Sequence, residues 1–142
     1  MTRVLINFEL PDPYFHQLQQ NYPQLDWVLC TESEKLHALL KETEILLTFL
    51  QCDRKMIDEA PQLKWIQTIS EGVDYMDLDE IRRRGIVLTN GRGIHKIHMA
   101  EYAVAAMINL ARGFHLMFLN QLQKKWERSV SQEEIYGATV GI

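Results

Sequence analysis

The chain has 142 residues, of which 46% are hydrophobic and 24% are charged, a balance that suits one globular domain with or without an appendage. Its net charge of −4 and lack of a basic stripe exclude nucleic acid as a partner, because phosphate binding needs clustered Lys and Arg. No apolar run approaches the roughly 20 residues of a membrane helix, and the N-terminus lacks a signal peptide. We therefore expect a cytoplasmic protein with no membrane partner.

Short apolar runs alternate with amphipathic stretches over the first ninety residues. Strands are predicted at 4–8, 27–30, 45–49, 65–68 and 86–89, and helices at 14–21, 31–40, 53–60 and 78–84. Asp53 is expected to cap its helix and Pro61 to stop it. Strands and helices that alternate through short links indicate an α/β fold, specifically a flavodoxin-like, doubly wound, parallel five-stranded sheet.

The pattern of apolar residues changes after Asn90. From about His98 to Leu119 the apolar residues recur at spacings of three and four, which predicts one long helix. Such a helix suits a connector between lobes or an oligomer contact, so we expect a homodimer through this region. Residues 138–142 predict a further strand after a turn glycine, and a chain that stops there is expected to be a truncated one.

Ligands bind open parallel sheets at the carboxyl ends of the strands, where segments 49–52, 70–74 and 90–95 lie. Gly72 lets a ligand approach the backbone, and consecutive N–H groups there can hold a carboxylate. An ordinary strand-to-helix turn, with Asp74 as a cap, also accounts for these residues, and spacing alone favours it over an anion site. Gly91-Arg92-Gly93 lacks the third glycine of a dinucleotide-binding loop.

No metal site is expected, because Cys30 and Cys52 lie in neither a CxxC pair nor a Cys/His cluster. No nucleophile elbow or paired-carboxylate motif is present either. The residues by themselves therefore indicate a fold and a ligand-binding end of the sheet, without a complete active site.

The run from Leu63 to Ile142 resembles the D-isomer-specific 2-hydroxyacid dehydrogenase family. Its features are a strand leading to Gly72-Val73-Asp74, the segment GIVLTN and an Ala100-Glu101 helix. The resemblance implies an enzyme with a flavodoxin-like substrate lobe and a Rossmann lobe, which transfers hydride between NAD or NADP and a 2-oxo or D-2-hydroxy acid. It implies that residues 1–95 form the substrate lobe. Residues 96–142 would then be the connector helix and the first strand of a truncated NAD(P)-binding domain.

The same resemblance implies roles for individual residues. Those matched to substrate binding are Glu71, Gly72, Val73, Phe49, Leu50 and His95, and Met99 matches a residue that packs near the nicotinamide. The family's catalytic Arg, Glu and His would lie beyond residue 142, so we expect no catalytic residue, no tight cofactor binding and no activity from this chain alone. Glu71 departs from the pattern, since it sets a carboxylate beside an anion site and is expected to point outward.

Two other classes of function have similar sequence features. A non-catalytic module for small-acid binding or dimerisation fits the same features without redox chemistry. A receiver-type signalling domain needs a phosphorylatable Asp after strand three, where carboxylates bind Mg²⁺. That strand ends Thr48-Phe49-Leu50, with no Asp before Asp53, which nearly excludes this class.

Overall fold

The computed structural model describes residues 1–49 and 52–141 and divides the chain into two compact units, Met1–Gly93 and Ile94–Ile142. The first unit alternates strands and helices throughout its described part. In chain order they are β1 Arg3–Ile6, α1 Asp12–Asn21, β2 Asp26–Leu29, α2 Ser33–Leu40, β3 Ile45–Thr48, α3 Arg54–Glu59, β4 Trp65–Thr68, α4 Leu78–Arg83 and β5 Val87–Thr89.

The five strands form one sheet in the order β2-β1-β3-β4-β5, and every neighbouring pair is parallel. This is the flavodoxin-like order, so the fold class predicted from the sequence is confirmed. Thr48 of β3 is paired in register with Thr68 of β4. The segments that follow these two strands therefore start side by side at the carboxyl end of the sheet.

The core lies between the sheet and its helices. Leu5, Leu46 and Ile66, on the three central strands, are completely buried, as are Leu40 of α2 and Ile57 of α3. Each such side chain contributes roughly 1.5–3 kcal/mol relative to an exposed one. Alternate residues of β3 and β4 are therefore fully buried, whereas the residues between them are only partly buried or exposed.

Hydrogen bonds fix the ends of the helices near the strand ends. Asp53 accepts from the amide of Met56 at 2.9 Å, and Asp77 accepts from the amide of Glu80 at 2.9 Å, so both act as N-caps. Glu32 holds the cap position of α2 without a side-chain bond, and Glu34 lies in the first turn, where the helix dipole favours a carboxylate. Arg84 donates to the carbonyls of Ile57 and Ala60, the latter at 2.6 Å, and so closes the end of α3.

The second unit contains helices α5 Lys96–Ala111 and α6 Phe114–Leu122, so the single helix predicted over 98–119 is wrong. Gly113 separates them with φ +64°, a left-handed conformation that ends a helix, and the two axes differ in direction by 69°. A side chain at Gly113 would come within 2.7 Å of Val130. The predicted last strand is not formed over residues 138–141, since a strand requires a hydrogen-bonded neighbour.

Apolar side chains of this unit are widely exposed. The exposed fractions are 67% for Ile97, 77% for Tyr102, 68% for Leu110, 61% for Phe118 and 82% for Leu122. Among the described residues no single helix is long and apolar enough to cross a bilayer. The bent pair of α5 and α6, taken together, meets both criteria by length and composition only.

Candidate functional site

Three loops lie together at the carboxyl end of the sheet, because β3, β4 and β5 are adjacent and parallel. The loop after β4 is bonded to both neighbours. The amide of Ile69 donates to the carbonyl of Thr48 at 3.0 Å, and the amide of Gly91 donates to the carbonyl of Ser70 at 2.9 Å. The middle loop is thus held in position from two sides.

The centre of this loop is the Gly72 turn, residues 70–74. Among the described residues, the backbone N–H groups of Glu71, Gly72 and Val73 have no hydrogen-bond acceptor. The backbone of Gly72 lies outside the left-handed region, and a Cβ there would meet only Asp74 Oδ2, at 3.6 Å. The fold therefore does not require glycine at this position. The missing side chain instead leaves consecutive free amides open to an anion.

A cluster of three hydroxyl groups, those of Thr68, Ser70 and Tyr75, is hydrogen-bonded to the turn. The oxygen of Ser70 lies 2.7 Å from the hydroxyl of Thr68 and 2.7 Å from that of Tyr75, and the last two are 2.9 Å apart. Ser70 also donates to the carbonyl of Gly72 at 2.8 Å. Sequence reasoning missed this cluster. The available signal was the spacing of Thr68 and Ser70, which places both on the same side of an extended chain.

Glu71 connects the Gly72 turn to the loop after β5. Its Oε1 accepts from the amide of Gly93 at 2.8 Å, and its carbonyl accepts from the side chain of Asn90 at 2.7 Å. The carboxylate therefore has a partner on the neighbouring loop, which explains how a negative charge is accommodated beside the free amides. The sequence pattern predicts Asn90 only as part of the loop after β5, so this bond is a role that it does not reveal.

The other residues matched by resemblance are distributed over both units. Phe49 follows β3, is 46% exposed and begins the loop beside the Gly72 turn. Leu50 lies outside the described residues. His95 holds the N-cap position of α5 without a side-chain cap bond, and its ring lies 4.9 Å from that of His98 in an edge-on arrangement. Met99 is an exposed residue of α5.

A cavity of about 340 Å³ lies at the same end of the first unit and includes Cys52, Asp53, His37 and Tyr75 in its lining. Burial raises the pKa of the Cys52 thiol to about 12, with a smaller contribution from the carboxylate of Asp53. Cys52 is therefore a thiol at neutral pH and a poor nucleophile. Within the described part of the chain, no group of three His, Cys, Asp or Glu side chains is arranged to bind a metal ion.

The fold agrees with the sequence comparisons. The sequence model described as D-isomer specific 2-hydroxyacid dehydrogenase, catalytic domain, matches residues 4–140. A match over nearly the whole chain means that this protein belongs to that family, which confirms the resemblance seen in the sequence.

Particular relatives show how much of such enzymes the chain represents. It is 31% identical over 106 residues to an erythronate-4-phosphate dehydrogenase from Shewanella loihica, covering 72% of this chain and 27% of that enzyme. It is 27% identical over 154 residues to a glyoxylate reductase from Pyrococcus furiosus, covering 99% and 45%. The chain thus spans between about a quarter and a half of these relatives.

Solved structures show the same architecture. A D-lactate dehydrogenase from Aquifex aeolicus, complexed with NAD and lactic acid, matches with a TM-score of 0.77 over 94% of this chain and 41% of that one. At 21% sequence identity the match supports the fold rather than a specific activity.

Proposed function

We propose that this chain is the substrate-binding lobe of an NAD- or NADP-dependent oxidoreductase that interconverts a 2-oxo acid and a D-2-hydroxy acid. Family membership supports the class of reaction. The observation that carries the assignment of this lobe is the run of free backbone amides at Glu71, Gly72 and Val73, beside a glycine that the fold does not otherwise need. An ordinary capped turn does not explain that glycine, because Asp77, rather than Asp74, caps α4.

In this proposal the substrate carboxylate accepts hydrogen bonds from the amides of Gly72 and Val73. A hydrogen bond to a charged group contributes about 1.5–3 kcal/mol, enough to orient a small acid. Ser70 holds the carbonyl of Gly72 and so fixes the peptide group that carries the amide of Val73. Phe49, half exposed on the neighbouring loop, provides an apolar wall for the rest of the substrate. By resemblance, Leu50 and His95 are also assigned to substrate binding.

The nicotinamide cofactor supplies or accepts the hydride when it is bound. The residues present here do not form a dinucleotide cradle, because Gly91-Arg92-Gly93 is followed by Lys96 where the motif requires glycine. We therefore assign no hydride step to this chain, and we place the catalytic Arg, Glu and His of the family outside residues 1–142. Met99 remains a proposed neighbour of the nicotinamide in the full enzyme. Tight binding of NADH by this chain alone would contradict the proposal.

The acid-binding role is tested by following backbone amide NMR shifts while D-lactate is added. We expect the amides of residues 71–73 to shift, and Gly72→Val to weaken binding by at least about tenfold, the equivalent of one lost hydrogen bond to a charged group. Gly141→Val is the matched control, because Gly141 also lies outside the left-handed region and has open space around it. Unchanged D-lactate affinity in Gly72→Val would contradict the anion role.

We further propose that a second copy of the chain covers the exposed apolar side chains of α5 and α6. Leu110 and Phe118 are more than half exposed, and apolar surface of this extent favours association. Light scattering is expected to show a dimer that Leu110→Lys weakens, whereas Gln123→Lys, a control at an exposed polar position, leaves it intact. A monodisperse monomer at all concentrations would refute the dimer.

The names of the relatives include a phosphorylated acid, erythronate 4-phosphate, and an unphosphorylated one, glyoxylate. Family membership is compatible with both kinds of acid.

A further inference from the structure

The Gly72 turn carries two carboxylates and no cationic side chain. Glu71 is held by the amide of Gly93 at 2.8 Å. Asp74 has its Oδ2 3.6 Å from the place where a Cβ on Gly72 would lie, so this charge borders the glycine directly. Glu71 directly precedes Gly72, whose amide is assigned to the substrate carboxylate. Any anion that binds there experiences both negative charges.

A substrate with a single carboxylate can offset this repulsion, because its charge is taken up by the amides. A phosphorylated acid brings up to two additional charges. The phosphate charges lie within a few bonds of the carboxylate, and residues 70–74 include no cationic side chain that could bind them. Two unit charges about 6 Å apart change an affinity by about 3-fold at an effective dielectric constant of 80 and by about 100-fold at 20. The charge of Glu71 therefore weighs more heavily on a phosphorylated acid than on a simple one.

We propose that Glu71 is a specificity-determining residue, which selects 2-oxo and 2-hydroxy acids whose carboxylate is their only negative charge. This inference rests on the proposed function, since it requires the substrate carboxylate to bind the Gly72 turn. The bond from the amide of Gly93 keeps the Glu71 carboxylate at the carboxyl end of the sheet, so the charge does not simply turn away into solvent.

The test compares two probes, D-lactate and D-3-phosphoglycerate, on the full chain at about pH 7.5, where a phosphate monoester carries nearly two charges. Affinities are read from the amide shifts of Gly72 and Val73 at low ionic strength, at which charge effects are least screened. The variant is Glu71→Gln, whose side-chain oxygen can still accept from the amide of Gly93. The control is Glu42→Gln, which removes the same charge before β3, at the opposite end of the sheet.

The wild type is expected to bind D-lactate more tightly than D-3-phosphoglycerate. Glu71→Gln should narrow this affinity ratio by about 3- to 100-fold, while Glu42→Gln should leave it unchanged. A ratio that stays the same in Glu71→Gln, or equal wild-type affinities for the two probes, overturns the role of Glu71 and leaves the acid-binding turn intact. If neither probe shifts the amides of Gly72 and Val73, the proposed function fails, and this inference fails with it.

Discussion

The hydroxyl cluster beneath the Gly72 turn leads to an ordered pair of stability changes. Thr68, Ser70 and Tyr75 supply three hydroxyl protons, and the proton of Ser70 goes to the carbonyl of Gly72. The hydroxyl oxygens of Thr68, Ser70 and Tyr75 make three short contacts with one another, and the two remaining protons can form hydrogen bonds in only two of them. The wild type therefore has three hydrogen bonds donated by these hydroxyls, although four distances are short.

The two substitutions remove different numbers of these bonds. In Tyr75→Phe, Thr68 can donate to Ser70 and Ser70 to the carbonyl of Gly72, so one bond is lost, at a cost of about 1 kcal/mol. In Ser70→Ala only the bond between Thr68 and Tyr75 remains. Two bonds are lost, and the carbonyl of Gly72 loses its donor. The expected cost is about 2–3 kcal/mol, which includes part of the penalty for an unsatisfied group.

Urea unfolding measures both changes. Tryptophan fluorescence in a Trp126→Phe background restricts the signal to Trp27 and Trp65, which belong to the first unit. The proton count requires Ser70→Ala to be the more destabilising substitution. A Tyr75→Phe variant that loses as much free energy of unfolding as Ser70→Ala, or more, would refute it.

Three further changes follow from buried or bonded side chains. The hydrogen bond from Arg83 lowers the pKa of the buried Glu80, so this carboxylate stabilises the fold above the unfolded pKa of about 4.3 and the stabilisation is lost as the pH falls further. Urea midpoints measured between about pH 3 and 7 should therefore depend less steeply on pH in Glu80→Gln. Because the pKa of Cys52 is raised to about 12, the free energy of unfolding should fall by about 1.4 kcal/mol per pH unit above about pH 9, and Cys52→Ala should lack this slope. Iodoacetamide should label the thiol only after unfolding. Arg84→Ala removes both side-chain bonds to the carbonyls that end α3, so we expect a loss of about 2 kcal/mol in the urea assay, and an unchanged midpoint would show that water replaces the guanidinium.

The strands of the first unit were predictable because each is a short apolar run bounded by turn residues. Ile45 to Leu47, for example, can be buried only by layers on both faces of a sheet. The break between α5 and α6 was missed because apolar spacing continues through Arg112 and Gly113. Periodicity reports which side chains share a face. It does not report the left-handed backbone of Gly113, or the closeness of residues 130 and 131 that leaves no room for a Cβ there.

The site was predictable in position but not in its bonding. The position of Gly72 at the carboxyl end of the sheet was predicted correctly, because alternating strands and helices indicate a parallel sheet. The order of the strands in such a sheet then decides which loops are neighbours. The bonds of Glu71 to Asn90 and Gly93 join residues 19 and 22 positions apart, and no local pattern encodes such pairs. The hydroxyl cluster was overlooked for a similar reason, since Tyr75 joins Thr68 and Ser70 only after the chain has turned.

The outer strands of the sheet are short: β5 has three residues and β2 has four. An unpaired strand can template the addition of a strand from another molecule, and its tendency to do so grows with its length and flatness. With so few free backbone groups on either side, the sheet is a poor seed for fibril growth. Aggregation under mild destabilisation should therefore begin with apolar contacts of α5 and α6, and give amorphous rather than fibrous precipitates.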